Sequence, residues 1–223
     1  MSRSLIAALA LLLLCAGVAA ADHRPGHGTP GGEEITISAT DPVVWGRSTV
    51  ITGGLRGRSD PGVVVRLDAD PHPFSDTAFE QLATTVTDAR GNYRFVTQPV
   101  LNTRYRVVAE TAPPATSSAA LVRVRIRVTR TVSTTRPRRG SLVRFRGTAC
   151  PDHDGRLAYI QRLSSTGAFR TVARTRLADA GETCSRYVRR IRVRSTGTYR
   201  VRVLSRDADH ASGVSRRITL RTR

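Results

Sequence analysis

One unit is written twice in this chain, and a duplicated unit of about a hundred residues without a helical period has few folds open to it. "FEQLATT" from Phe79 aligns without a gap on "FRTVART" from Phe169, keeping Phe79/Phe169, Ala83/Ala173 and Thr85/Thr175. Tyr93 and Tyr105 stand 12 apart, as do Tyr187 and Tyr199, and "YRV" begins at the second tyrosine of each pair. Upstream, Gly53 in "VITGGL" matches Gly147 in "RFRGTA", and Gly62 before "VVVRL" matches Gly155 before "RLAYI". Within each copy the segments are short, alternating and β-branched, and clusters of Gly, Pro, Asp or Asn interrupt them every 8 to 12 residues or so. In the second copy this pattern predicts strands near 126–134, 141–149, 156–163, 168–178, 185–194, 197–205 and 213–221. Such a series reads as an antiparallel β-sandwich.

The ends of the chain set the compartment. Residues 1–21, "MSRSLIAALALLLLCAGVAAA", combine a basic start at Arg3, an apolar run from Leu5 to Leu14 and a small-residue finish, the pattern of a cleaved export signal. The apolar run is short for a membrane span, and no later segment is long enough, so a secreted or envelope-associated protein without a transmembrane segment is expected. Residues 22–33, rich in Gly, Pro and His, read as a flexible leader in which His23 and His27 are bystanders. With Cys15 leaving in the signal, Cys150 and Cys184 remain, and in an oxidising compartment a single disulfide is the default.

These readings assemble into an all-β chain. It holds two tandem seven-stranded antiparallel immunoglobulin-like sandwiches, residues 34–125 and the basic, disulfide-stapled 126–223, after a cleaved signal peptide. Tyr105 and Tyr199 follow a turn at the start of the sixth strand, where such sandwiches hydrogen-bond a tyrosine back across the corner. If the second and fifth strands are neighbours, Cys150 and Cys184 lie side by side. A transthyretin-like strand order stays open beside the immunoglobulin-like one.

The chain is similar to tandem immunoglobulin-like modules of secreted actinobacterial and other bacterial surface proteins, on its "G-x-L" turns and on "TDARGNYRF" at residues 87–95. That phrase also resembles repeats of collagen adhesins. The resemblance implies a surface role and no catalysis. The lysine–asparagine crosslink of adhesin repeats is excluded, because all 36 basic residues are arginine.

Charge divides the two copies. Residues 22–125 carry 11 Arg against 11 acids, whereas residues 126–223 carry 24 Arg against 6 acids, a net of +18. A GC-rich genome accounts for arginine over lysine but not for this placement. "VRVRIRV", residues 122–128, sets Arg123, Arg125 and Arg127 opposite the parity of the apolar residues, and Arg144 with Arg146 and Arg190 with Arg192 and Arg194 do the same. The expectation is one outer face that binds phosphates or carboxylates, Arg being suited to bidentate pairing. Anionic envelope polymers or acidic glycans are the expected partners. Sequence-specific nucleic acid is not, since the aromatics fall at core parity and leave no stacking platform. A structural spacer without a ligand is the competing reading.

Two acidic loops offer a second candidate. Asp152, His153 and Asp154 in "PDHDG" and Asp207, Asp209 and His210 in "RDADH" belong to loops that emerge at the same end of such a sandwich, where carboxylates suit Ca²⁺ and histidines Zn²⁺. The alternative is that the aspartates simply form turns. No histidine neighbours a nucleophile motif, so neither an enzyme nor a cofactor is expected.

Overall fold

The computed structural model describes residues 33–57, 61–75 and 79–223. The expected signal (1–21) and all of the leader except Glu33 lie outside the described residues. Among the described residues every regular element is a strand, and no helix is long and apolar enough to cross a membrane.

The first copy holds β1 (Glu34–Ile35), β2 (Ser38–Ala39), β3 (Val43–Val44), β4 (Thr49–Arg56), β5 (Val64–Pro71) and β6 (Glu80–Val86). It continues with β7 (Asn92–Thr97), β8 (Thr103–Ala109), β9 (Ala115–Thr116), β10 (Ala120–Val122) and β11 (Val124–Arg125). The second holds β12 (Arg127–Val128), β13 (Thr131–Val132), β14 (Ser141–Cys150), β15 (Leu157–Leu163) and β16 (Phe169–Arg176). After it come β17 (Ala178–Asp179), β18 (Ser185–Val193), β19 (Gly197–Val203), β20 (Gly213–Val214) and β21 (Ile218–Leu220).

Both copies lay these strands in the same order. In the first, β4 is flanked by β1 and β2 on one side and β7 on the other, while a second sheet runs β6-β5-β8-β10 with β9 also on β8. In the second, β14 is flanked by β12 and β13 on one side and β18 on the other, while the second sheet runs β16-β15-β19-β20 with β21 also on β19. All these pairings are antiparallel, an arrangement consistent with a β-sandwich; the exception is the parallel pair of β3 with β11. Even the irregularities repeat, for the register shifts opposite Leu67/Asp68, where Leu82 of β6 is the extra residue, and opposite Ile160/Gln161, where Val172 of β16 is.

Alternating residues bury one face of each sheet. Ile51, Leu55, Val65, Leu67 and Tyr105 belong to one buried cluster, and Phe145, Ile160, Tyr187, Val201 and Leu220 to another. The two cores lie within one compact unit, Gly32–Arg223. Where they meet, Asn102 ties the halves: its side-chain amide donates to the Ala208 carbonyl at 2.6 Å, and its side-chain oxygen accepts from the Val124 N–H at 2.7 Å.

A tyrosine locks the first strand of each copy onto the sheet, and it is a different one from the corner pair Tyr105 and Tyr199. The Tyr93 hydroxyl donates to the Thr36 carbonyl, and the Tyr187 hydroxyl donates to the Thr129 carbonyl at 2.7 Å. Gly53 and Gly147 permit this, since a Cβ at either would collide with that carbonyl and with the tyrosine oxygen. Burial pushes both phenols well above their ordinary pKa, keeping them neutral donors. Tyr105 instead meets the Thr97 and Thr103 side chains, and the Tyr199 ring lies 6.0 Å from the Arg162 guanidinium. Sheet membership explains the difference: Tyr93 and Tyr187 lie in the sheet of the first strand, directly opposite Gly53 and Gly147, whereas Tyr105 and Tyr199, equally buried, belong to the other sheet.

The segment 122–128 departs from expectation. Its alternation holds, with Val122, Val124 and Ile126 buried, yet it is not one strand. β10 ends the first copy's sheet, β11 pairs with β3, and β12 opens the second copy's sheet on β14. Between β11 and β12 the Ile126 N–H bonds to the Ala211 carbonyl at 2.9 Å. The chain is changing partners at every second residue, because it is leaving one core and entering the other.

Candidate functional site

The arginines of β14 and β18 stand on one exposed face. Arg144 lies directly opposite Arg190, Arg192 opposite Leu142, and Arg146 opposite Val188, with Arg194 just past the strand. Leu142 and Val188 are themselves more than half exposed, so the face alternates guanidinium with aliphatic surface. Like charges directly across a ladder destabilise it modestly. Nothing acidic lies beside them on these two strands, and Arg192 is held only by the Gly140 carbonyl at 2.7 Å.

The first ladder is dispersed by the breaks in its segment. Arg123 pairs with Asp41, its Nη2 at 2.6 Å from the carboxylate. Arg127 lies over the Trp45 ring at 5.3 Å. Arg125 and Arg127 line a groove of about 410 Å³ with Arg47, Arg216, Ile126 and Val214, between the two cores. Arg127, the last part of the first ladder and expected on the face of β14 and β18, lies in the β14 sheet but turns to Trp45 and this groove, which makes a second basic surface; Arg123 and Arg125 belong to other sheets.

Cys150 and Cys184 form a disulfide, Cα to Cα 4.4 Å, continuing the β14–β18 register one step past Ala149 opposite Ser185. It fastens the end of the sheet that carries the exposed arginines.

The acidic loops do meet. The His153 and His210 rings pack edge to face at 5.4 Å. Asp152 accepts from the Ser185 hydroxyl at 2.6 Å and from the Asp154 N–H at 3.2 Å, which holds its carboxyl below the usual range. Asp207 binds Arg156, Asp209 lies 3.0 Å from His210 Nδ1, and His210 Nε2 meets the Val100 carbonyl at 2.8 Å. Among the described residues no group of three His, Cys, Asp or Glu side chains is placed to hold a metal ion. These side chains are engaged in turns, in one ion pair and in a joint between the halves.

Sequence reasoning missed a cleft between the edges of β16 and β18. Arg162, Arg189, Arg190, Arg192, Arg194, Val172, Ala173, Ile191 and Tyr199 line about 420 Å³ there, with no acid among them. The signal for it was Arg189, an arginine at inward parity with no bulge beside it in the β14–β18 register. The sequence matches no protein-family profile and no curated protein.

Proposed function

We propose that this is an exported, non-enzymatic protein of two tandem immunoglobulin-like sandwiches, related in kind to bacterial surface modules, whose basic second half adheres to anionic polymers of the cell envelope. The strand order supports the sandwich assignment, since in each copy the first, second and fifth strands share one sheet and the fourth, third, sixth and seventh the other. The disulfide fits an oxidising destination.

The observation that carries the adhesive reading is the contrast in how arginines are matched. In the first half Arg66, Arg104, Arg106 and Arg123 each contact Asp68, Asp70 or Asp41. On β14 and β18, Arg144, Arg146 and Arg190 face solvent with no such partner on the opposing strand. Guanidinium groups left unmatched beside one another attract multivalent anions, by an attraction that salt screens.

The test is retention of the full chain on an immobilised anionic polymer over a salt series, beside a variant carrying Arg144→Gln, Arg146→Gln, Arg190→Gln and Arg192→Gln. Saturable binding that weakens steeply with salt, and about tenfold in the variant, is expected. Equal retention of both proteins, or none by either, would return the face to a solvated surface.

A further inference from the structure

The cleft between β16 and β18 is built by exchanges that the first half does not make. Pairing partners give the correspondence: Phe95 opposes Ile51 in the first half, and Arg189 opposes Phe145 in the second. The large and small positions have traded places. Phe145, larger than Ile51 and fully buried, fills the space between the sheets at this level, which leaves the opposing inward position of β18 without a packing role. Arg189 occupies that position and, although it points to the inner face, is exposed at the cleft mouth.

A second exchange forms the cleft's other wall. Ala69 opposes Tyr105, and Arg162 opposes Tyr199 at the matching place. Arg162 fits because Gly197 stands where Thr103 stands in the first half; a Cβ on Gly197 would collide with the guanidinium Nε. That Nε is buried without a hydrogen-bond partner, while Nη2 is anchored by the Ser195 hydroxyl and the Thr196 carbonyl, each at 2.8 Å. The guanidinium is thus held in place before any ligand arrives, which lowers the ordering cost of binding.

Arginines on an open strand edge can serve merely to stop edge-to-edge pairing. Two facts speak against that reading here. Strand β7, the equivalent edge, is paired with β4 alone, as β18 past Arg186 is with β14 alone, yet it carries Phe95 and the exposed Val96 where β18 carries Arg189 and Arg190. Guarding an edge, moreover, asks for no anchored arginine on the opposite sheet.

We propose that this cleft is a binding site for a chain of linked phosphate groups. The proposal rests on the adhesive reading above and assigns it a place and a ligand chemistry. Five guanidinium groups without an acid call for several negative charges in one ligand. Arg190, Arg192 and Arg194 follow one another at about 7 Å along the strand direction, a spacing that one phosphate cannot span and successive phosphates can. The planar fork of each arginine matches the oxygens of a phosphoryl group. Val172, Ile191 and Tyr199 supply apolar walls that exclude water and strengthen the pairing.

The experiment is titration calorimetry of the full oxidised chain with linear tripolyphosphate, with orthophosphate and citrate as the single-phosphate and polycarboxylate arms. One tripolyphosphate site per chain, tighter than either comparison ligand, is expected. Arg189→Phe, which restores the first half's residue, and Arg189→Gln should each weaken it about tenfold, whereas Arg174→Gln, an equal loss of charge on the outer face of β16, should cost about twofold or less. If the wild type binds none of the three anions, this site is overturned, while the adhesive reading falls only if the polymer fails to retain the chain as well. If it binds but the Arg189 variants match Arg174→Gln, the adhesive reading stands and the cleft is overturned. Aggregation of the Arg189 variants with unchanged phosphate binding would show the arginine to be an edge guard and overturn the site as well. Preference for citrate over tripolyphosphate would overturn the ligand class.

Discussion

In the first half Asp68, almost fully buried, accepts from Arg66 at 2.7 Å and from Arg106 at 3.1 Å. At the equivalent place in the second half Arg66 has become Tyr159, Asp68 has become Gln161, and Arg200 donates to the neutral amide oxygen at 2.9 Å. The acid and one arginine have gone together, so the charge at that spot is unchanged. The stacking is kept too: Arg106 lies 4.3 Å from the Phe79 ring and Arg200 3.9 Å from the Phe169 ring. Burial and the charges of Arg202 and Arg217 push the Arg200 pKa down, yet the group has no acid to lose. Near the core the two halves obey one electrostatic constraint. Most of the added positive charge lies where side chains reach water, with Arg162 in place of Ala69 the partly buried exception, so the second half gains charge without changing its frame.

The two halves also close their sheets differently. Thr175 to Tyr187 spans 12 positions where Thr85 to Tyr93 spans 8, and the added residues form β17 and carry Cys184. The partner Cys150 stands where the first half has Arg56. The largest effect expected from breaking this contrast is therefore confined to the second half. Replacing Cys150 and Cys184 together by alanine removes a loop constraint worth about 3 to 4 kcal/mol. Denaturant unfolding followed separately by Trp45 fluorescence and by far-ultraviolet dichroism should show the second half unfolding earlier while the tryptophan transition moves less. Coincident, equally shifted transitions would mean that the joint at Asn102 makes the halves one cooperative unit.

Next in size is a change that should treat the halves alike. Gly53→Ala and Gly147→Ala each drive a methyl into the carbonyl of the first strand and the tyrosine oxygen beside it. Each is expected to cost about 2 to 3 kcal/mol by overpacking. Tyr187→Phe beside Gly147→Ala separates the causes, since removing the hydroxyl relieves part of the clash but forfeits its hydrogen bond. Similar midpoint losses for the two glycine variants would confirm that the lock is shared; a tolerant Gly53→Ala would show that the first copy's short opening strands can shift.

Much of this frame was legible because it rests on short-range pattern. Parity alone placed Val143, Phe145, Ile191 and Val193 inside and the arginines between them outside. Spacing of the tyrosines and of "FEQLATT" against "FRTVART" located the copies, and the strands expected in the second copy match those found to within a few residues, apart from breaks in the first and last. What escaped depends on partners far along the chain. Nothing local says that Val122 to Val128 must pair with three different neighbours, or that Tyr93 and Tyr187 reach a first-strand carbonyl. Ser117 and Ser215 are a quieter case: each hydroxyl accepts from the N–H of the equivalent residue, Val107 or Val201, at 2.9 Å, a repeat hidden in the unlike phrases "ATSS" and "GVSR". The cleft needed two long-range facts at once, the trade of Phe95 for Arg189 across from Phe145 and the pairing of Arg162 with Tyr199. The loop aspartates, open in the sequence to a ligand or a turn role, have local partners here: Asp152 has the Ser185 hydroxyl and the Asp154 N–H, and Asp207 has Arg156.

The smallest effect tests whether matched arginines in the first half contribute anything at all. Burial raises the Asp41 carboxyl pKa, but hydrogen bonds from the Arg123 side chain and backbone and the charges of Arg123 and Arg125 outweigh it, and the net shift is downward. A carboxyl depressed on folding stabilises the fold above its unfolded value, near 3.8, and that contribution is lost as pH falls through the depressed value. Arg123→Gln removes the side-chain bond and keeps the backbone one, so the cost at neutral pH is expected to be about 1 kcal/mol or less, as for other exposed pairs. Measured as the difference between wild type and variant over a series of pH values, it should fade once Asp41 is protonated, while Arg190→Gln, which has no acid across the ladder, should show no such fading. A cost for Arg123→Gln that persists in acid would assign the arginine's value to packing of its stem at the joint rather than to its charge.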